Sequence, residues 1–507
     1  MQKFGDGSLS DNIVVYSSWE SDKVCQMVLG QVPESFRPLH RFPNVLDALH
    51  DVDRSQVDAI MQEAMHERDA LDADLALKNI SKKDHRSHVH RLGAKFRDRL
   101  QVKLRGVEFR STAWCAQCEK YCFISPRFHE DYRDSVWIEI AGPVCKGYSC
   151  MGKQYGWLHP SCAGALVWAY RSAFFEPDRI FKENVERSDE ATFNGIFTCK
   201  ERLQSPFGRT ICSTKGASDE TTRYADRQSL IFDVYDLGYP CSRRRVYSRW
   251  DLMPFFNPRP SNSFQELFFK KTQLNLDVFF VATEQDLLAE LEKETKHSRD
   301  ESRRCSTACA SSTGVDWKNL LPGYQQGRVD QYMTACIRED LFDASRRKWS
   351  VPCALIDVSQ ARDHRIHSKT MPTMTQTSRF YEMVRDRPIA TLEQWLVHGF
   401  PHPSVASLHP DLVGKFPLGD ELLKDLSLKQ QRLLLGNSMH PAQVCAWFVF
   451  SLVEVCVCDA DNTDCTDIDD IDSSSSFTSM SLSPIASSDF KTTDFRFRFQ
   501  ISFWLER

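Results

Sequence analysis

No apolar run in this 507-residue chain is long enough to cross a membrane; the nearest, residues 444–457, falls short of the ~20 residues a bilayer core requires. No excess of one charge is present either. Lys and Arg number 64 against 69 Asp and Glu, a net charge of −5. The chain is therefore not a uniformly basic nucleic-acid binder, and any contact with DNA or RNA has to use local basic patches. The first ten residues are polar and contain glycine, unlike a secretory leader. The 18 cysteines are scattered, which points to a reducing compartment inside the cell rather than a disulfide framework. Internal repeats are absent. What is present is the composition of a soluble globular protein, 41% hydrophobic and 26% charged. The length exceeds one ordinary core, so two or three structural units are expected.

An α/β rhythm runs through parts of the chain. Residues 12–16 (NIVVY) read as a short buried strand, with Glu20 just past its end and a helical pattern over 23–29. An acidic residue at such a strand end is where an α/β sheet holds a pair of ribose hydroxyls. Residues 52–135 differ: they are polar, helical over 57–78 and strongly basic over 82–99, and read as an insertion or separate lobe. The basic stretch fits phosphate contact and a solvated helix face equally well. The rhythm returns over 136–250, with strands expected at 136–140, 179–182, 229–233 and 245–247 and a helix over 161–175. Residues 251–385 read as a second domain. Two more helices are expected at 391–398 and 442–455, the latter apolar nearly all round and so buried. From 459 the chain is rich in Asp and Ser and is expected to be disordered to 507. Within that tail, residues 495–500 (FRFRFQ) alternate like a strand with no evident partner.

The chemistry concentrates in three places. Ala141-Gly-Pro-Val-Cys-Lys-Gly-Tyr-Ser149 places Cys145 on a loop held by glycine and proline, directly after an apolar strand. A lone cysteine is by default a small buried hydrophobe. The glycine density here suits a surface against which a substrate lies, and a thiol so held is posed for attack. Glu183-Asn-Val185 ends a second strand, and a carboxyl there is posed to move a proton. Tyr239-Pro-Cys-Ser-Arg-Arg-Arg-Val-Tyr247 offers Arg243 and Arg245 on one side of an extended segment; Arg244 should point the other way, to phosphate or plain solvent. Separately, Cys115, Cys118 and Cys122 have the spacing of a zinc knuckle, with His129 a candidate fourth ligand. Three ordinary reduced cysteines are the reading preferred from sequence, and no metal is assigned.

Taken in order, these segments resemble the cytosine-C5 methyltransferase family. Its pattern Gly-Pro-Pro-Cys-Gln-Gly-Phe-Ser stands here as Gly142 through Ser149, with Val144 and Lys146 as departures, and Glu183-Asn-Val185 matches its Glu-Asn-Val. The Arg-x-Arg-Val of the family fits Arg243 to Val246, with Cys241 in place of glutamine. Residues 387–401, ending in Gly-Phe-Pro, resemble a segment that packs the core and orients the recognition domain. Leu435-Gly-Asn-Ser-Met-His-Pro441 resembles the final motif, whose turn contacts the methyl donor and whose following helix returns to the sheet.

The resemblance implies a doubly wound, Rossmann-like α/β core of the S-adenosylmethionine-dependent methyltransferase type, with an insertion and a smaller target-recognition domain. The core would comprise residues 11–51, 136–250 and 386–458, with the insertion at 52–135, target recognition at 251–385 and the loose tail at 459–507. It implies Cys145 as nucleophile, Glu183 as the acid at cytosine N3, and Arg243 and Arg245 as pocket walls. Around S-adenosylmethionine it places Glu20, Asn44, Gly142, Pro143, Asn437 and Ser438. The implied substrate is double-stranded DNA with the base flipped out, and the implied location nuclear or otherwise intracellular. RNA, as in relatives that act on tRNA, is the alternative within the same chemistry. The family's glycine-rich opening has no counterpart here, since Phe4-Gly-Asp-Gly7 lies too close to Glu20. The expectation is that the chain starts after the first strand and its glycine loop, and a nucleic-acid-binding homologue without activity is the second alternative.

Overall fold

The computed structural model describes residues 13–503 apart from 33, 35–36, 134, 144–145, 150–153, 199–225, 252–260, 298–309, 312–313, 361–365, 368, 401–424 and 454–496. Strand β1 (Ile13–Trp19) is the apolar run expected near the start, extended three residues beyond Tyr16. Helix α1 (Lys23–Gln31) begins where Asp22 accepts the amides of Val24 and Cys25, a side-chain cap for donors the helix cannot satisfy itself. Strand β2 (His40–Phe42) returns parallel to β1, Trp19 opposite Phe42.

The insertion opens with two long helices, α2 (Asp51–Ala76) and α3 (Lys82–Arg105), packed against each other. Much of the basic character of α3 is answered by α2. Arg99 makes a forked pair with Glu63 at 2.7 and 2.8 Å, and Lys103 reaches Asp53 at 2.6 Å. Lys82, Lys83, Arg86 and Arg91 are left exposed at the start of α3. A hairpin follows, β3 (Thr112–Cys115) with β4 (Lys120–Phe123). These helices pack on the sheet: Leu100 and Leu104 of α3 and Phe109 share one apolar core with Trp19, Phe42 and helix α4 (Ser161–Phe175). Every residue of α4 is buried, and its Ala163, Gly164, Ala165, Ala169 and Ala173 allow that close packing.

The central sheet continues with β5 (Val136–Gly142), β6 (Arg179–Val185), helix α5 (Glu190–Phe197), β7 (Asp226–Phe232) and β8 (Arg245–Asp251). After α6 (Ser261–Phe268) comes a second unit with its own core: α7 (Glu284–His297), α8 (Gly323–Arg338) and an antiparallel sheet of β9 (Leu355–Asp357), β10 (Phe380–Glu382) and β11 (Arg387–Pro388) enclose Leu287, Tyr332, Ile356 and Tyr381. Helix α9 (Thr391–Val397) is fastened to this unit, the Thr391 amide donating to Glu290 of α7 at 2.9 Å. Helices α10 (Leu428–Asn437) and α11 (Pro441–Val453) lead back to the sheet, where Trp447 and Phe450 pack on Phe181, Tyr247 and Phe264.

Strand β12 (Phe497–Phe503) is the main departure from the sequence reading. The tail segment without an evident partner runs parallel to β1 on one side and β5 on the other, from Phe497 opposite Val136 to Phe503 opposite Gly142. The sheet order is β2-β1-β12-β5-β6-β8-β7, parallel throughout except for β8, which is antiparallel to both neighbours. This is a doubly wound, Rossmann-like α/β core. β12 fills the place between β1 and β5. Residues 459–496 lie outside the described residues. Among the described residues no helix is long and apolar enough to cross a membrane.

Candidate active site

The strand register gathers the candidate residues at the carboxyl end of β6. Glu183 lies opposite Tyr247 and Val185 opposite Arg245, and side chains alternate along a strand, so Glu183, Arg245 and Tyr247 share one face. Glu183 is 9% exposed, and its Oε1 lies 3.0 Å from Arg245 Nε, an ion-pair contact without the alignment of a hydrogen bond. Burial, then the Glu183 carboxylate, hold the Tyr247 phenol well above its ordinary value, so that it stays protonated beside the pair. Arg244 behaves as expected of its alternation: it is exposed and pairs with Glu186 at 3.0 Å.

Arg243 is buried and its backbone is clamped. Its amide donates to Asp233 Oδ1 at 2.7 Å, and its carbonyl accepts Gln443 Nε2 of α11 at 3.0 Å. The same amide group of Gln443 donates to Phe232 O at 3.2 Å, so the helix after the Gly-Asn-Ser turn ties the β7 and β8 ends together. Two histidines stand in the same field. Burial, with Arg243 next, pushes His398 well below its ordinary value, and burial followed by Arg243 takes His440 down to about 3. Both are therefore neutral imidazoles beside cationic arginines. Their rings lie 5.1 Å apart, and His398 Nε2 is 3.0 Å from Ser438 Oγ. Gly399, at φ +78°, is required where it stands, since a Cβ would come within 2.8 Å of the His440 ring. Neither ring is singled out by the motifs that contain it; the one signal in the sequence is that each histidine stands one residue from a motif glycine or proline.

Gly142 ends β5 against this cluster. A Cβ there would lie 3.8 Å from Glu183 Oε2 and 2.5 Å from Met439 Cε, so the end of β5 stands beside the carboxyl and a larger residue would push the methionine aside. Pro143 follows, buried. Cys145 itself lies outside the described residues, but its loop is held on the far side: the Gly156 amide donates to Gly147 O at 2.8 Å, and Tyr148 packs edge-on to Trp157 at 5.9 Å. Trp157 in turn packs against Gly93 of α3, so the insertion buttresses the loop.

The residues assigned to a donor divide into two groups. Glu20, 2% exposed, follows β1; its Oε1 accepts the Asp22 amide at 2.8 Å. Asn44 follows β2 and caps the turn Val45–Ala48, accepting the Leu46 amide at 2.9 Å. Asn437 and Ser438 belong to the other side, where Asn437 Oδ1 accepts Gln376 Nε2 at 2.6 Å. Between them lie β12 and β5. With strands spaced ~4.8 Å, Glu20 and Glu183 sit on the order of 14 Å apart across the sheet. That span lies at the carboxyl end of the parallel strands, where the order reverses about β12, the crevice in which open α/β sheets hold ligands.

The three clustered cysteines also meet, and the fourth group in reach is His40 rather than His129. The ligand atoms of His40, Cys115, Cys118 and Cys122 lie within 4.8 Å of one another. His129 instead lies against Tyr132 and Asp131.

No family model matches the sequence, and no curated protein matches it. Among solved structures, the chain is similar to the Entamoeba histolytica methyltransferase EhMeth at 14% identity over 65% of this chain and 80% of that one, with a TM-score of 0.33. It is similar to the S. pombe Dnmt2 methyltransferase at 13% identity, covering 65% and 81%, with a TM-score of 0.31. A putative DNA modification methyltransferase encoded within a prophage of E. coli gives 14%, 63% and 78%, again at 0.31. None of these superpositions is close, and the functional reading rests on the residues of this chain.

Proposed function

We propose that this chain transfers a methyl group to C5 of cytosine in a nucleic acid. The observation that carries the reading is the buried Glu183–Arg245 pair with Arg243, set against Gly142 at the start of the Cys145 loop. Cytosine is a poor electrophile, and a thiolate adds at C6 only if N3 is protonated or hydrogen-bonded at the same time. Glu183, as a carboxylic acid, holds that proton at N3, while Arg243 and Arg245 present guanidinium donors to the carbonyl O2. Cys145 Sγ forms the bond to C6, which makes C5 electron-rich. After methylation, loss of the C5 proton to a base restores the C5–C6 double bond and expels the thiolate, and the N3 proton returns to Glu183. The base has to leave the helical stack, because C6 is out of reach within it.

S-adenosylmethionine supplies, when bound, an electrophilic methyl group on sulfonium sulfur. The residues fit it: Glu20 offers a buried carboxylate at the ribose end, and Gly142 brings side-chain-free backbone to the end of β5 beside Met439. Asn44, Pro143, Asn437 and Ser438 would complete its surroundings. The unit built on α7, α8 and β9–β11 would carry target recognition.

DNA and RNA oligonucleotides containing 5-fluorocytosine, which has no C5 proton to lose, test the reading. Incubated with the full chain and donor, one of them is expected to form an adduct that survives denaturing electrophoresis, and Cys145→Ala none. The oligonucleotide that reacts identifies the substrate. Folded wild-type protein that binds both and traps neither would overturn the proposal in favour of a non-catalytic nucleic-acid-binding protein.

A further inference from the structure

We propose that His40, Cys115, Cys118 and Cys122 bind one zinc ion in a closed tetrahedral site that fastens the β3–β4 hairpin to the sheet edge at β2. The local pattern follows from the hairpin register. Ala113 lies opposite Cys122, and alternation puts Ala113, Cys115 and Cys122 on the buried face while Trp114, Tyr121 and Phe123 face out. The turn after Cys115, closed by the Glu119 amide on Cys115 O at 2.9 Å with Glu119 at φ +52°, brings Cys118 back over the same face. His40, the first residue of β2, comes from the other side. Its ring is steadied edge-on by Tyr16 at 5.0 Å.

The distances are those of a metal tetrahedron. With Zn–S ~2.3 Å and Zn–N ~2.05 Å, the N···S edge of a tetrahedral site is ~3.6 Å and the S···S edge ~3.8 Å. His40 Nδ1 lies 3.6 Å from Cys118 Sγ and 3.9 Å from Cys115 Sγ, and all four ligand atoms fall within 4.8 Å. Backbone amides also point at sulfur, Arg41 at 3.3 Å and Cys118 at 3.4 Å from Cys115 Sγ, the outer contacts that orient a thiolate ligand. Three thiolates and an imidazole are a soft set that selects zinc over magnesium or calcium. Four protein ligands leave no open position, so the ion is structural. Its place matters because β2 runs beside β1, with the Glu20 amide bonded to Phe42 O at 3.1 Å; the hairpin and the donor half of the crevice share this edge.

The test is metal content by plasma mass spectrometry on the full chain purified without chelator. About one zinc per chain is expected, retained in Cys145→Ala and in His129→Ala, and reduced severalfold in Cys118→Ser and His40→Ala. In case those variants do not fold, wild-type protein stripped of metal and titrated with cobalt(II) gives a second readout: intense visible bands of a tetrahedral thiolate site, saturating at one equivalent. Folded wild-type protein that holds no zinc and develops no such bands overturns the proposal, as does zinc content unchanged in both ligand variants. Neither readout depends on methyl transfer, so the two proposals fail separately.

Discussion

Glu139 on β5 and Glu183 on β6 are two buried carboxylates on neighbouring strands, each paired with an arginine, and they serve opposite ends. Glu139 is fully buried, and its Oε1 takes Trp168 Nε1 at 2.6 Å, Ser172 Oγ at 2.8 Å and the Arg171 guanidinium, all from α4. Among the described residues Glu183 has Arg245 at 3.0 Å and no comparable cage, and it stands near the strand end beside Gly142 rather than under a helix. A carboxylate saturated with donors in mid-strand secures a core, because removing either partner strands a buried charge. A carboxylate at the carboxyl end of a parallel strand, left with capacity for another partner, is available for chemistry.

The largest effect expected from this contrast is on turnover. Glu183→Gln keeps the shape but cannot hold and release the proton, and methyl transfer is expected to fall ~10²–10⁴-fold in a radiolabelled-donor assay. The melting temperature should move less than in Glu139→Gln; a larger loss of stability in the Glu183 variant would erase the distinction. Next, Arg171→Met should cost ~3–5 kcal/mol in denaturant unfolding, and the double variant Arg171→Met/Glu139→Gln should recover much of that, since no unpaired charge then remains.

Acid should weaken the pocket side specifically. His440 is held from 6.5 down to about 3, and His398 is depressed in the same direction. Above pH ~6.5 neither the folded nor the unfolded chain protonates these rings, and the full stability is present. As pH falls from there toward 3 the unfolded chain takes up protons that the folded pocket refuses, and stability is lost, on the order of 1 kcal/mol per pH unit for a ring so buried. His440→Gln should make thermal melts less sensitive between pH about 6.5 and 5; an unchanged slope would show that other groups govern the acid response. The smallest effect belongs to Arg244→Ala. Its pair with Glu186 is half exposed on both sides, and unfolding should shift by less than ~0.5 kcal/mol. Weaker oligonucleotide binding by this variant would assign Arg244 to phosphate contact.

The elements around the site were largely legible. The strands near 136–140, 179–182 and 245–247 and the helix over 161–175 exist where the apolar patterns put them, because each is a local signal. The alternation that set Arg243 and Arg245 apart from Arg244 held for the same reason. The neighbour of the two histidines was not legible, since a ring in a motif gives no sign of facing Arg243, more than 150 residues away. Likewise the three cysteines are visible as a cluster, but spacing alone points to His129 as their companion, whereas the fold brings His40, on a strand distant in sequence.

The sequence by itself determined the chemistry available at each position: a thiol on a glycine-held loop, a carboxyl at a strand end, a pair of arginines on one side of a strand. Only the tertiary structure decided which strand fills the centre of the sheet. Residues 497–503 carry an alternating pattern that many partners would satisfy, and parallel pairing needs no turn to announce it. Its neighbours, β1 and β5, lie hundreds of residues away in sequence, and the register from Phe497 opposite Ile13 and Val136 exists only once both are in place.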